Sequence, residues 1–339
     1  MQSRILSVLT PLFCAVTPLA LAGGAAKSTD ALTIYTSSNE EFIRPIFEKF
    51  TQESGIKINF VADKGPVLIE KLKAEGANSP ADLLTTVDVG NLWLAGEAGL
   101  LAPTQSAELE ANLPAQYRAP HNEWVGLSIR ARTIFYNPKK VKASQLSTYE
   151  DLASPKWKGK LCLRTSNNVY NQSLVASFIE NWGEKKTETV LKGWVRNLAA
   201  PVFASDTPML EAIAAGQCAV GISNSYYFAR LIKDKPSLDV KLFWADQGGR
   251  GTHVNVMGGG VLKASKKKEL ATQFLVWASR LEAQKLLSAM NYEYPVNPKA
   301  EVSPQIQAFG NFKPDAMPLY KAGEKQRAAV QLMDRVGYK

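Results

Sequence analysis

The sequence predicts an α/β protein built as two lobes joined by hinge strands, and three observations carry that prediction. From Leu32 onward the chain alternates strand and helix patterns in a βαβαβ order, which calls for a parallel sheet with right-handed crossovers. A long strand pattern over Trp124–Tyr136, WVGLSIRARTIFY, interrupts that order and is followed by a second α/β stretch. Removing a 22-residue leader from the 339 residues leaves about 317, too many for one ordinary core and suited to two.

The leader is Met1–Ala22. It has one charge at Arg4, an apolar body from Ile5 to Leu21, and small residues at Ala20 and Ala22, which is the pattern of a secretory signal peptide. Pro11 and Pro18 interrupt the body and it is short for a membrane span. Cys14 follows the bulky Phe13 in mid-run, which argues against a lipid anchor. Without Arg4 the formal charge falls from +9 to +8. The lysines are dispersed and the densest run is only Lys266–Lys268, so a solvated basic surface is favoured over nucleic-acid binding.

In the first lobe LTIYT is a strand, and Phe42, Ile43, Ile46, Phe47 and Phe50 then recur at helical spacing up to Gly55. IKINFV is the second strand, Pro66–Glu75 a helix closed by Gly76, and ADLLTTV the third strand. The first interlobe crossing is placed at Arg130 and the return at Thr252–Val261, where Gly258, Gly259 and Gly260 permit close packing. The lobes are therefore drawn as 27–129 plus 256–303 and 130–255 plus 304–339. Helices are expected over Asn171–Trp182, Pro208–Ala215 and Glu269–Met290, with the remaining helices packing across the back.

Two stretches of the second lobe look built alike. In CLRTSNNVY and GQCAVGISNSYY a cysteine opens a short apolar run and a tyrosine stands eight residues later, pairing Cys162 with Tyr170 and Cys218 with Tyr226. Such runs read as buried parallel strands, with the tyrosines just past the strand ends where open α/β sheets bind ligands. Asn224 and Ser225 are good helix caps, so Tyr226 and Tyr227 fall in a first helical turn that favours anionic oxygen. Three phenols at one point have a chemical use, because a trivalent hard cation drives off their protons and three phenolates balance Fe³⁺. The alternative is three ordinary amphipathic residues at a core edge. Cys162 and Cys218, the two cysteines left after processing, form one disulfide on neighbouring strands or stay as buried thiols.

SNNVYNQSLVAS at Ser166–Ser177, SNSYYFARL at Ser223–Leu231, GTHVNVMGGGV at Gly251–Val261 and the MNYEYP ending at Pro295 together resemble the bacterial periplasmic ferric-ion-binding proteins, the solute-binding subunits of iron ABC importers. SPADLL at Ser79–Leu84, GEAGLLAP at Gly96–Pro103 and SPKWKGK at Ser154–Lys160 extend the likeness over nearly the whole mature chain. The resemblance implies a type II periplasmic binding protein fold, a monomer in the periplasm, and delivery of Fe³⁺ to an inner-membrane permease and its ATPase. It implies Tyr170, Tyr226 and Tyr227 as iron ligands and Arg130 as the holder of a synergistic anion such as carbonate, through two parallel hydrogen bonds. Many relatives add His-Tyr or a lone His after the first strand, where this chain has Asn39 and Glu40 in YTSSNEEF. Some add a Glu after the third strand, where Val87 and Asp88 stand. Either Glu40 supplies a carboxylate, or water and a small anion complete the coordination, and the anion is preferred.

Arg132 shares a strand face with Arg130 and competes with it for the anion role; Arg130 itself has a salt-bridge alternative. His253 is assigned to the hinge and His121 to the surface. Other functions considered are a receptor for an organic ligand (phosphonate, thiamine or polyamine) and a lyase using tyrosine as base beside Arg130. The chain has no nucleophile elbow, phosphate loop, HExxH or Cys/His pairing, so a binding protein is expected rather than an enzyme.

Overall fold

The computed structural model describes residues 31–339; the leader assigned to Met1–Ala22, with Cys14, lies outside the described residues. The first half follows the expected alternation. Strand β1 (Ala31–Thr36), helix α1 (Glu40–Ser54), β2 (Lys57–Ala62), α2 (Gly65–Glu75), β3 (Leu83–Thr86) and α3 (Val89–Glu97) form a parallel unit with β1 between β2 and β3. Ile43, Ile46, Phe47 and Phe50 are the buried face of α1, as their spacing predicts. Gly55 ends that helix in the left-handed region (φ 75°), and its N–H closes the last turn on Thr51 O. After the short α4 (Ala107–Asn112), β4 (Val125–Tyr136) runs through the middle of the molecule and is buried along its whole length.

β4 performs the crossing. Residues Val125–Ala131 pair with β8, while Arg132–Tyr136 pair with β6. The elements between are β5 (Leu161–Cys162), α5 (Val169–Trp182), α6 (Glu184–Arg196), α7 (Asp206–Ala214), β6 (Val220–Asn224), α8 (Ser225–Asp234) and β7 (Lys241–Phe243). Strand β8 (Val254–Val261) then returns to pair with both β3 and β4. The strand order β2-β1-β3-β8-β4-β6-β5 gives a mixed α/β architecture of the two-lobed type II kind, with β4 and β8 as the shared strands. Two of the three glycines of β8 are required by contact: a Cβ on Gly258 would lie 2.4 Å from Val125 O, and one on Gly260 2.4 Å from Glu123 O.

The chain continues through α9 (Lys268–Ser279), α10 (Leu281–Asn291), β9 (Tyr294–Pro295), α11 (Pro304–Gln307), α12 (Leu319–Glu324) and α13 (Gln326–Arg335). Three expectations need correction. The helix predicted over Glu269–Met290 is broken at Arg280, whose backbone is extended (φ −75°, ψ 158°). The freed carbonyls of Ala278 and Ser279 are taken by Gln284 Nε2 at 2.7 Å and Asn297 Nδ2 at 2.9 Å, partners no local periodicity reveals. Cys218 lies before β6 rather than in a strand, and β5 keeps only two residues. Among the last helices α12 packs against both α3 and α5, so this segment lies against elements of both halves rather than across one back. Phe50 meets Phe274 and Trp277 edge-on at 5.2 and 5.3 Å, tying α1 to α9; each such buried ring contributes about 1.5–3 kcal/mol.

Candidate metal centre

Local rules place the tyrosines. Asn168 caps α5, its side chain accepting the Tyr170 N–H at 3.1 Å, so Tyr170 sits in the first turn. Asn224 ends β6 in extended conformation and α8 begins at Ser225, which puts Tyr226 and Tyr227 in the first turn of that helix. The Asn224 side chain does not cap. Its Oδ1 accepts from Arg132 Nη1 at 3.1 Å and its Nδ2 donates to the Tyr226 hydroxyl at 3.1 Å.

The three phenols share one site. The Tyr226 and Tyr227 ring centroids are 4.4 Å apart, and the Arg130 guanidinium faces the rings of both Tyr226 and Tyr170. Burial raises Tyr226 well above the usual tyrosine range, with the phenols of Tyr170 and Tyr227 adding to the rise and Arg130 opposing it. Burial likewise raises Tyr170, again opposed by Arg130. Tyr226 is buried, whereas Tyr170 and Tyr227 keep partial exposure. The disulfide Cys162–Cys218 is formed, with Cα atoms 5.8 Å apart, and joins the segments that carry the tyrosines.

Arginines surround the phenols. The Arg130 guanidinium lies 4.9 Å from the Tyr226 ring centre and 5.6 Å from that of Tyr170, and its Nη1 approaches the Tyr170 hydroxyl at 3.4 Å. Arg164 Nη1 is 3.5 Å from the Tyr227 hydroxyl, and Arg230 is held between the rings of Phe42 at 3.8 Å and Tyr226 at 4.9 Å. Cations at this range favour phenolate over phenol. Among the described residues no group of three or more His, Cys, Asp or Glu could hold a metal.

Arg130 does not present an empty fork. Its Nη1 donates to Val87 O at 2.8 Å and its Nη2 is paired with Glu293, whose other carboxylate oxygen accepts from Ser128 Oγ. Both members of that pair are buried, and only Arg130 Nε lacks a partner. Burial works against the charge of Arg130, and Glu293 with the nearby phenols more than offsets it. Arg132, its neighbour on β4, is committed elsewhere, binding Asn171, Asn224 and Asp206, and Asp206 also holds Arg164 at 2.6 Å.

The residues after β1 stand apart. Asn39 caps α1 by accepting the Glu41 N–H, and the exposed Glu40 carboxylate pairs with Arg44 one turn along; neither is bonded to the tyrosines. Asp88, where some relatives place Glu, is buried as the cap of α3, and burial pushes its carboxyl up to about 7 against bonds from Ser173, Gly90 and Asn255 and the charge of Arg130. His253 is buried just before β8 and His121 is exposed. Sequence reasoning missed Glu293, Arg164 and Arg230, although all three lie inside the motifs MNYEYP, CLRTSNN and SYYFARL.

The family model described as bacterial extracellular solute-binding protein matches residues 35–285. "Iron uptake protein A1" of Synechocystis sp. is 40% identical over 96% of this chain and 92% of its own length. The "Fe(3+)-binding periplasmic protein" of Serratia marcescens is 31% identical over 99% of both chains. A solved structure described as Trichodesmium (IdiA) (FutA) in complex with iron and citrate ligands superposes with a TM-score of 0.87 at 46% identity, covering 91% of this chain and all of that one.

Proposed function

Because this chain belongs to the bacterial extracellular solute-binding proteins, we propose that it captures Fe³⁺ in the periplasm and hands it to an inner-membrane ABC permease driven by its ATPase. The observation that supports the proposal is the clustering of three phenols from α5 and α8 around Arg130, Arg164 and Arg230, where no carboxylate or imidazole cluster among the described residues competes for the metal. Tyr170, Tyr226 and Tyr227 give up their protons to solvent as they ligate, and the three phenolates neutralise the ion. The arginines lower the cost of that deprotonation in a buried site.

The two lobes, 27–129 plus 256–303 and 130–255 plus 304–339, swing about β4 and β8 and close on the cargo. Arg230 on Phe42 is a closing contact, since it spans from α8 to α1. The coordination positions left by three phenolates go to water or to a small anion such as carbonate. With both Nη atoms of Arg130 engaged, the anion is met by the buried, unpartnered Nε and by Arg164 rather than by a bidentate fork. Glu40 stays with Arg44 and takes no part. The protein works as an exported monomer, and it binds rather than transforms its ligand.

Titration with Fe³⁺ in bicarbonate tests this. Phenolate bound to ferric iron absorbs in the visible, so wild type turns coloured while Tyr226→Phe and Tyr170→Phe, which delete only an oxygen, lose much of the band and keep their fold. Glu40→Gln keeps both band and affinity. A colourless wild type, or a Glu40→Gln variant with sharply weakened iron binding, refutes the corresponding part.

A further inference from the structure

Asp88 ends the first parallel unit and is fully buried. Its Oδ1 accepts the Gly90 N–H at 2.7 Å, which is the ordinary duty of a helix cap. The same oxygen accepts the Ser173 hydroxyl at 2.6 Å from α5, and Oδ2 accepts Asn255 Nδ2 at 2.7 Å from β8. Asn255 Oδ1 in turn accepts the Val89 N–H at 2.9 Å. One carboxylate therefore binds the start of α3, the returning strand and the helix that bears Tyr170.

Ser173 is three residues beyond Tyr170, hence on the same side of α5 one turn along. A cap alone needs no buried charge, because Ser or Asn satisfies a helix start without the desolvation cost of a carboxylate. What the carboxylate supplies above the value of about 7 to which burial pushes it is acceptance without donation: every hydrogen bond aimed at its side chain comes from a donor, and the ionised group has no hydrogen to point back at them. An Asn here matches the shape and keeps the cap, yet must turn its NH₂ toward the amide of Asn255 or the side of Ser173 and Gly90.

The geometry points to Asp88 as a positioning residue for iron capture, one that fixes Tyr170 by tying α5 to β8 and α3 at the point where the two halves meet. The inference rests on the ferric reading of Tyr170 given above. Asp88 makes no hydrogen bond to a phenol, and its charge by itself opposes ionisation of Tyr170, so its removal would favour the phenolate; the positioning effect runs through Ser173 and disappears when the oxygen of Tyr170 is removed.

A double-mutant cycle decides it. Fe³⁺ affinity is measured by competition with nitrilotriacetate for wild type, Asp88→Asn, Tyr170→Phe and the double variant, with thermal melting of each iron-free protein. Asp88→Asn is expected to weaken iron binding about tenfold, the usual effect of losing a partner that orients a metal ligand. In the Tyr170→Phe background the same change is expected to cost less than about twofold. The wavelength of the visible band shifts in Asp88→Asn and not when Asp88→Asn is added to Tyr170→Phe. Ser173→Ala, which cuts only the α5 tie, reproduces the pattern and decides the matter should Asp88→Asn fail to fold. Equal losses in both backgrounds, or no loss in either, overturn the role of Asp88. A wild type that takes up no coloured iron overturns the ferric reading instead, so the two failures are distinguishable.

Discussion

Lowering the pH by one unit is predicted to weaken Fe³⁺ binding about a thousandfold, after correction for protonation of the competing chelator. Three phenols lose a proton each on ligation, and each proton released multiplies the affinity by ten per pH unit, or about 1.4 kcal/mol. Three together amount to about 4 kcal/mol per pH unit. The structure fixes the sign. Burial raises both Tyr170 and Tyr226, so the iron-free protein holds those protons throughout the neutral range, and affinity climbs with pH while the pH stays under the phenol values. The assay is a proton count: iron is added to weakly buffered protein in a pH-stat and the base needed to hold the pH is recorded. Wild type should release three protons per iron from its side chains, and Tyr170→Phe and Tyr226→Phe one fewer each. A wild type releasing one or none, or variants releasing as many as wild type, would refute phenolate ligation whatever the colour of the solution.

Reducing Cys162–Cys218, which closes a separation of 56 residues, should lower the stability of the iron-free protein by about 4 kcal/mol, read as a shift in urea midpoint with and without dithiothreitol. An unmoved midpoint would mean that the crosslink restrains nothing in the unfolded chain. His253 is held down to about 3 by burial first and then by Arg250 and Arg132, against an ordinary value of 6.5. Below pH 6.5 the unfolded chain gains a proton that the folded chain refuses, so stability is full above that pH and falls by on the order of 4 kcal/mol toward pH 3. His253→Gln should flatten this acid limb in urea titrations between pH 7 and 4; an equally steep limb would assign it to the carboxylates.

Much of this was legible because the signals are local. The face of α1 follows from the spacing of Ile43, Ile46, Phe47 and Phe50, and the place of Tyr226 and Tyr227 in a first turn follows from the residues before them. Even the pairing of Glu40 with Arg44 could have been read, since EEFIR sets them at the spacing of a helical ion pair with Asn39 ahead of them as a cap. What stayed hidden depends on partners far along the chain. Glu293 meets Arg130 across 163 residues, and Asn297 lifts a carbonyl out of the predicted 269–290 helix from 18 residues away. Asn224 looked like a cap and occupies the cap position, but Arg132 and Tyr226 claim its side chain first.

The hydroxyl trio, two of the three arginines around it and the crosslink all belong to one continuous stretch between Cys162 and Arg230. Asn39 and Glu40, by contrast, are turned to their own helix, one as its cap and the other in a pair with Arg44. Sequence drift at these two positions can thus proceed without disturbing the bonds that surround the phenols.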